Sequence, residues 1–444
     1  MSRSHAVLLI TILLNLASAF PAFASASGAA PEADLQAALT DARARRAAVL
    51  VDFHAPWCYS CYYMARNVLT GVEWDAVRKR AVILEQDADS PAGAALKARL
   101  GVKALPSYVL LDAQGNELGR ILGEQTRADF YTAINGLLER GSPLDALAAR
   151  VKDGSADSLA AAREVLESYH ARYDADGGLT WFAGLPDAAR VAIEADAAGK
   201  SWLARLRFLG AAQKHDVLAC MSEGRLALDG ALGCQRPYEV DRYASCTADA
   251  AEKPVLAAQR TRMLDLVEQG VFGAQRCADT RSVVLTTADL HAALADADAE
   301  RALLERAARD VDARIGDDWR KDRNLSDNLR VYLERLAKRS GDYSRLDTLM
   351  PKLIAAWPDD YVYAFRHGRS LLARGKAAEA LPFLDQAAAK AYGINRLQVA
   401  DQRVRALQKL GRDAEARRVV AETLKANGPW FAEEAARLKA LLQG

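Results

Sequence analysis

Two cysteines three positions apart, Cys58 and Cys61, are the residues of this sequence best suited to chemistry. A thiolate attacks a disulfide, and a second thiol one helical turn further on can displace the mixed disulfide that forms. The attacking thiol gains most at a helix N-terminus, where unpaired N–H groups and the positive end of the helix dipole stabilise its thiolate. The flanking residues predict such a position. An apolar run of strand length, Ala47 to Ala55, ends at Pro56-Trp57-Cys58-Tyr59-Ser60-Cys61, and a helical pattern follows through Tyr62, Met64, Ala65, Val68 and Leu69. A plain disulfide clip or half of a zinc site would use the same pair. Zinc needs a second pair of ligands, and no CxxC, HxxC or HxxxH lies nearby.

The surrounding elements must hold that turn. An amphipathic stretch, Asp34 to Arg45, precedes the first strand. After the cysteines come a strand at Ala81 to Asp87, a helix at Ala92 to Leu100, and Gly101-Val-Lys-Ala-Leu-Pro106. A strand at Ser107 to Asp112, a turn at Ala113 to Asn116, a strand at Glu117 to Ile121 and a helix at Arg127 to Leu138 close the unit. Pro106, directly before a strand, is a candidate cis-proline, because an X–Pro bond gives up only about 0.5–1 kcal/mol in the cis form. The order is β-α-β then β-β-α around one CxxC.

Val51-Asp-Phe-His-Ala-Pro-Trp-Cys-Tyr-Ser-Cys61, Gly101 to Pro106, and the strand-turn-strand ending at Gly123 together resemble the thioredoxin superfamily. The resemblance covers roughly a quarter of the chain and is nearest to the periplasmic C-terminal domain of DsbD-type thiol:disulfide interchange proteins. It implies Cys58 as nucleophile and Cys61 as resolving thiol. It implies Pro106 as the cis-proline facing the disulfide, with Leu105 offering backbone to an incoming peptide and Trp57 at the substrate surface. Asp52 matches the buried acid that assists proton transfer at the resolving cysteine. Where many thioredoxins carry a lysine near that acid, Glu85 stands here. A second carboxylate would raise the pair's proton affinity, and a fully solvated Glu85 is the other reading. Neither Tyr59 nor Ser60 carries positive charge, which leans the direction of electron flow towards a reductase or shuttle. His54 lies near Cys58 and is read either as an influence on the thiol or as strand-end packing.

Arg3, the apolar run Ala6 to Phe20 and Ala22-Phe23-Ala24 fit a secretory signal peptide cleaved after Ala24, and the run is short for a bilayer span. The expected compartment is the bacterial periplasm, where an even set of six cysteines favours disulfides. Cys220, Cys234, Cys246 and Cys277 would form two structural disulfides by one of three pairings, or supply a second redox pair. His215 lies close to Cys220 in sequence without further metal ligands at sensible spacing. With 59 basic against 58 acidic residues, bulk charge gives no support to polyanion binding. No phosphate-cradling loop, nucleophilic serine elbow or zinc-protease helix occurs, and no cofactor or metal is implied.

Beyond residue 142 the pattern is almost wholly helical, and the 51% hydrophobic, 7% aromatic composition suits that. Gly341, Gly375 and Gly411, 34 and 36 residues apart, are placed between paired helices, close to the tetratricopeptide period. In the unit Tyr361 to Ile394, Gly368 is expected to pack closely against a second helix bearing Ala380 and Ala387. The charged run Arg314 to Arg323 reads as a solvated helix face. The fold class is therefore an N-terminal α/β thioredoxin fold followed by an all-α region with tetratricopeptide-like repeats. The expected divisions are a signal peptide at 1–24, a thioredoxin-like domain at 30–141, a helical domain with four cysteines at 142–325, and repeats with a terminal capping helix at 327–444. The leading function is an exported thiol-disulfide oxidoreductase acting on disulfide-bearing proteins, with a thiol electron donor or acceptor protein as redox partner and repeats that bind a partner. The alternative is a helical-repeat adaptor or chaperone-like scaffold in which Cys58–Cys61 is a stable clip.

Overall fold

The computed structural model describes residues 33–248 and 252–443. The segment read as a signal peptide lies outside the described residues. The chain begins with α1 (Ala33–Arg45), β1 (Ala48–His54), α2 (Tyr59–Asn67), α3 (Gly71–Arg80), β2 (Ala81–Asp87), α4 (Pro91–Arg99), β3 (Ser107–Leu111), β4 (Glu117–Leu122) and α5 (Arg127–Arg140). The strands form one sheet in the order β2-β1-β3-β4, with β1 and β2 parallel and the other neighbours antiparallel.

Both faces of the sheet are covered, which is why β1 reads as a continuous apolar run rather than an alternating one. Its successive side chains still point to opposite sides. Leu50 joins Met64, Val68, Tyr108, Leu110 and Phe130 on one face. Val49, Val51 and Phe53 join Leu35, Leu39, Leu96 and Val109 on the other. Fully burying each of these large apolar groups is worth roughly 1.5–3 kcal/mol. By the same alternation, Asp52 falls on the Leu50 face, beneath the helix that starts at the cysteines.

Caps fix where the flanking helices begin. Ser90 accepts from the Gly93 N–H ahead of Pro91 in the first turn of α4, and Thr126 does the same for Asp129 at α5. The helix α3 has no counterpart in the sequence expectation. Its buried face is limited to Val77, so it carries little apolar periodicity to detect.

α5 ends at Gly141 in the left-handed conformation, and the next helix opens at Leu144. From there the described chain is helical. Two disulfides, Cys220–Cys246 and Cys234–Cys277, select one of the three pairings open from sequence. Helices Arg323–Ser340 and Ser344–Ala356, Val362–Ala373 and Ala377–Ala388, and Gly393–Lys409 and Asp413–Asn427 form three antiparallel pairs, followed by Ala432–Ala440. Gly341, Gly375 and Gly411 stand at the three turns with φ of 78°, 80° and 69°, a region that favours glycine. Gly368 does pack closely, since a Cβ there would meet Leu384 Cγ at 2.7 Å. The run from Arg314 is not a helix face: the helix ends at Ile315, a short turn at Trp319–Lys321 connects to the next helix at Arg323, and the connection is largely exposed up to Lys321 while Asp322 and Arg323 are half-buried. No helix among the described residues is long and apolar enough to cross a membrane, and no group of three or more His, Cys, Asp or Glu there could hold a metal.

Candidate active site

Cys58 and Cys61 are joined by a disulfide at the N-terminus of α2. Cys58 is the N-cap, with extended backbone dihedrals, and its sulfur accepts from the Cys61 N–H at 3.1 Å. That is the position in which an attacking thiolate would be held by the first-turn amides. Both cysteines are buried, at 3% and 9% exposure, and pack with Ala55 and Leu105. The Leu105–Pro106 bond is cis, and the Pro106 carbonyl accepts from the Gly123 N–H at 2.9 Å.

Asp52 lies in the core of the sheet, paired in register with Glu85 of β2 and Tyr108 of β3. Burial raises its carboxyl to about 7, and the Glu85 charge adds to the rise. Glu85 itself is exposed. The two readings of Glu85 thus meet: it is solvated, and its charge still reaches Asp52, as the smaller of two causes. His54 is half-buried at the end of β1.

Trp57 is 41% exposed, and its indole N–H donates to Asp89 Oδ2 at 2.6 Å. Asp89 is buried, and burial raises its carboxyl while the Asn395 and Trp57 hydrogen bonds oppose the rise.

The rest of the site was not foreseen, because it comes from the helical region. Asn324 Nδ2 donates to the Tyr59 carbonyl at 2.9 Å, and Arg366 Nη2 donates to the Trp57 carbonyl at 3.0 Å. The Arg281 guanidinium lies over the Tyr59 ring, 3.8 Å from its centroid, and Arg323 lies 4.3 Å from that of Tyr62. The Tyr59 hydroxyl donates to Asp279 at 3.3 Å, and Arg66 pairs with Asp322 at 3.4 Å. On the far side of the turn, the Ile394 N–H donates to the Asp89 carbonyl at 3.1 Å, Asn395 donates to its carboxylate at 3.0 Å, and Tyr392 donates to Asp87.

Behind these contacts lies Asp327, fully buried and paired with Arg281, Arg330 and Arg366. Burial alone would raise its carboxyl, but the three guanidinium groups outweigh it and hold the acid far below the usual carboxylate range. Glu124, one residue after Gly123, is buried and held well above the usual range by burial and then by Asp279, with a Ser60 hydrogen bond in opposition. The available signal was the polar run Asn324-Leu-Ser-Asp-Asn-Leu-Arg330, in which every polar residue is buried. Helical periodicity alone does not distinguish such a face from a solvated one.

Comparison with known proteins agrees with this geometry. A family profile described as thioredoxin-like matches residues 30–113. The thiol:disulfide interchange protein DsbD of Cronobacter sakazakii is 35% identical over 109 residues, which are 24% of this chain and 19% of that protein. DsbD 2 of Pseudomonas aeruginosa is 32% identical over 129 residues, 28% of this chain and 22% of its own length. The chain thus spans about a fifth of the DsbD proteins it matches. The thiol:disulfide interchange protein TxlA of Synechococcus elongatus is 30% identical over 136 residues, 30% of this chain and 68% of that protein. With the sheet order, the disulfide at the N-cap of α2 and two thirds of a relative's length covered, the chain belongs to the thioredoxin-like family.

Proposed function

We propose that the protein is an exported thiol-disulfide oxidoreductase that uses Cys58 and Cys61 on protein disulfides. The observation that carries this is the placement of Cys58 as N-cap of α2, with the Cys61 N–H on its sulfur. In the reduced protein the Cys58 thiolate attacks one sulfur of a substrate disulfide. A Cys58–substrate S–S bond forms, and the departing substrate thiolate takes a proton. Cys61 then loses its proton to Asp52 and attacks the Cys58 sulfur, which releases the second substrate thiolate and leaves the Cys58–Cys61 disulfide. Two electrons have passed to the substrate, and a thiol protein must return them.

Asp52 suits the proton step because its carboxyl, raised to about 7, is poised between its acid and base forms near neutrality. Leu105 and Pro106 beside the disulfide are proposed to meet the substrate backbone, with exposed Trp57 at the rim. The divisions near residues 142 and 326 are working boundaries between the redox unit, the cysteine-bearing helices and the paired helices. The paired helices are proposed to orient partners while holding the redox turn. Export rests on the character of the first 24 residues.

The test is trapping. Cys61→Ser should accumulate mixed disulfides through Cys58, whereas Cys58→Ser should not accumulate them through Cys61. In the same preparation, a mature chain starting at Ser25 would support export. Failure of both variants to trap any partner or model disulfide protein would return Cys58–Cys61 to the role of a clip in a helical scaffold.

A further inference from the structure

We propose that the helical region sets the acidity of Cys58 through the two peptide carbonyls that flank it, with Arg366 and Asn324 as positioning residues. The inference rests on the reading of Cys58 as the attacking thiol and adds what controls it. Arg366 donates to the Trp57 carbonyl and Asn324 to the Tyr59 carbonyl, across sequence separations of 309 and 265 residues. These are the carbonyl ends of the peptide units whose N–H groups belong to Cys58 and Ser60. A donor on a carbonyl polarises its peptide group and strengthens the N–H at the other end. The Ser60 N–H lies in the first turn of α2, where amides have no partner within the helix. A thiolate on Cys58 draws on that field, and a neutral thiol gains much less. Arg366 adds a full positive charge at the same place.

The two donors are held firmly. Asn324 is 5% exposed and stands one turn before Asp327 on the same helix. Asp327 pairs with Arg366 at the Trp57 carbonyl and with Arg281 over the Tyr59 ring. One buried carboxylate therefore holds Arg366 and Arg281 together.

Other charges face the turn from each packed element. On the helix Arg323–Ser340 and its cap, Arg323 is matched by Asp360, Asp322 by Arg66, and Arg330 by Asp327 and Glu334. Ahead of the helix Thr280–Ala293, Asp279 accepts from Tyr59, Tyr238 and Ser282 and opposes the effect. From the sheet and its loops come Asp52, Asp89 and Glu124, each with its proton affinity raised first by burial. His54 and Asp87 stand at the ends of β1 and β2. Among the groups from the helical region, Arg366 and Asn324 are the two whose side chains donate to the backbone flanking Cys58.

The test uses the full chain with Cys58–Cys61 reduced and the other two disulfides verified intact by mass. Cys58 alkylation by iodoacetamide is followed against pH for the wild type, Arg366→Gln, Asn324→Ala and Arg366→Lys. Arg366→Gln and Asn324→Ala should move the midpoint upward, slowing alkylation at about pH 6 by about threefold to tenfold and leaving the rate at about pH 9.5 unchanged. Arg366→Lys, which keeps the charge, should stay near the wild type. Unshifted midpoints in folded variants would overturn the inference. So would faster alkylation at every pH, which would make the helical region a simple cover. A wild-type Cys58 that resists alkylation at every pH would instead defeat the reading of Cys58 as nucleophile.

Discussion

At the scale of single residues, the site is a contest between burial and compensation. Asp52 and Asp327 are both buried carboxyls, yet they end on opposite sides of the normal range. Asp327 has three guanidinium partners, and Asp52 has the like charge of Glu85. Because folding raises the Asp52 carboxyl from 3.8 to about 7, the folded state favours its acid form. The stability this group lends is present below about pH 4 and is lost as pH rises through about 7. Asp52→Asn should therefore stabilise the oxidised protein at about pH 8 by a few kcal/mol and give no gain at about pH 4, read by denaturant unfolding at both. The same variant should slow resolution of a Cys58 mixed disulfide by about tenfold or more. A variant as fast as the wild type would remove Asp52 from the proton step. Asp52 was legible in the sequence because it stands six residues before Cys58 in an apolar strand. Glu124 was not, because nothing local marks a glutamate after Gly123 as buried.

At the scale of elements, the strands and helices around the cysteines fall where apolar runs and turn residues place them. The bounds of β2 match the expectation from Ala81 to Asp87, and the others differ by a residue or two. The paired helices were legible through Gly341, Gly375 and Gly411, since glycine spacing survives where side-chain patterns drift. Where those helices dock was not legible, because contacts across some 300 residues leave no local trace. Gly393 shows what docking demands. Its φ is +51°, and a Cβ there would meet the Asp89 carbonyl oxygen at 2.0 Å. Gly393→Ala should push the helix Gly393–Lys409 off the loop after β2, costing about 1–3 kcal/mol. Faster hydrogen exchange at the Ile394 amide, which donates to Asp89, would report it. Unchanged exchange and stability would mean that the docking is loose.

At the scale of the whole molecule, the redox turn is held between two structures rather than displayed on one. The sheet supplies the strand, the N-cap and the buried acid, and the helical region bonds the backbone on either side of Cys58. Little of Cys58 is left open, with Trp57 as the exposed neighbour. Through Asn324 and Arg366 the helical region thus holds the backbone of the turn that carries Cys58. Whether Cys58–Cys61 is an exchangeable pair is read most directly from its reduction potential. The full chain would be equilibrated with glutathione buffers and the state of each cysteine mapped by mass. An exchangeable pair should show a value between about −200 and −270 mV, the range of glutaredoxins and thioredoxins. A pair still oxidised below about −300 mV would behave as a structural clip and contradict that reading, and a value near about −120 mV would reverse the direction of electron flow.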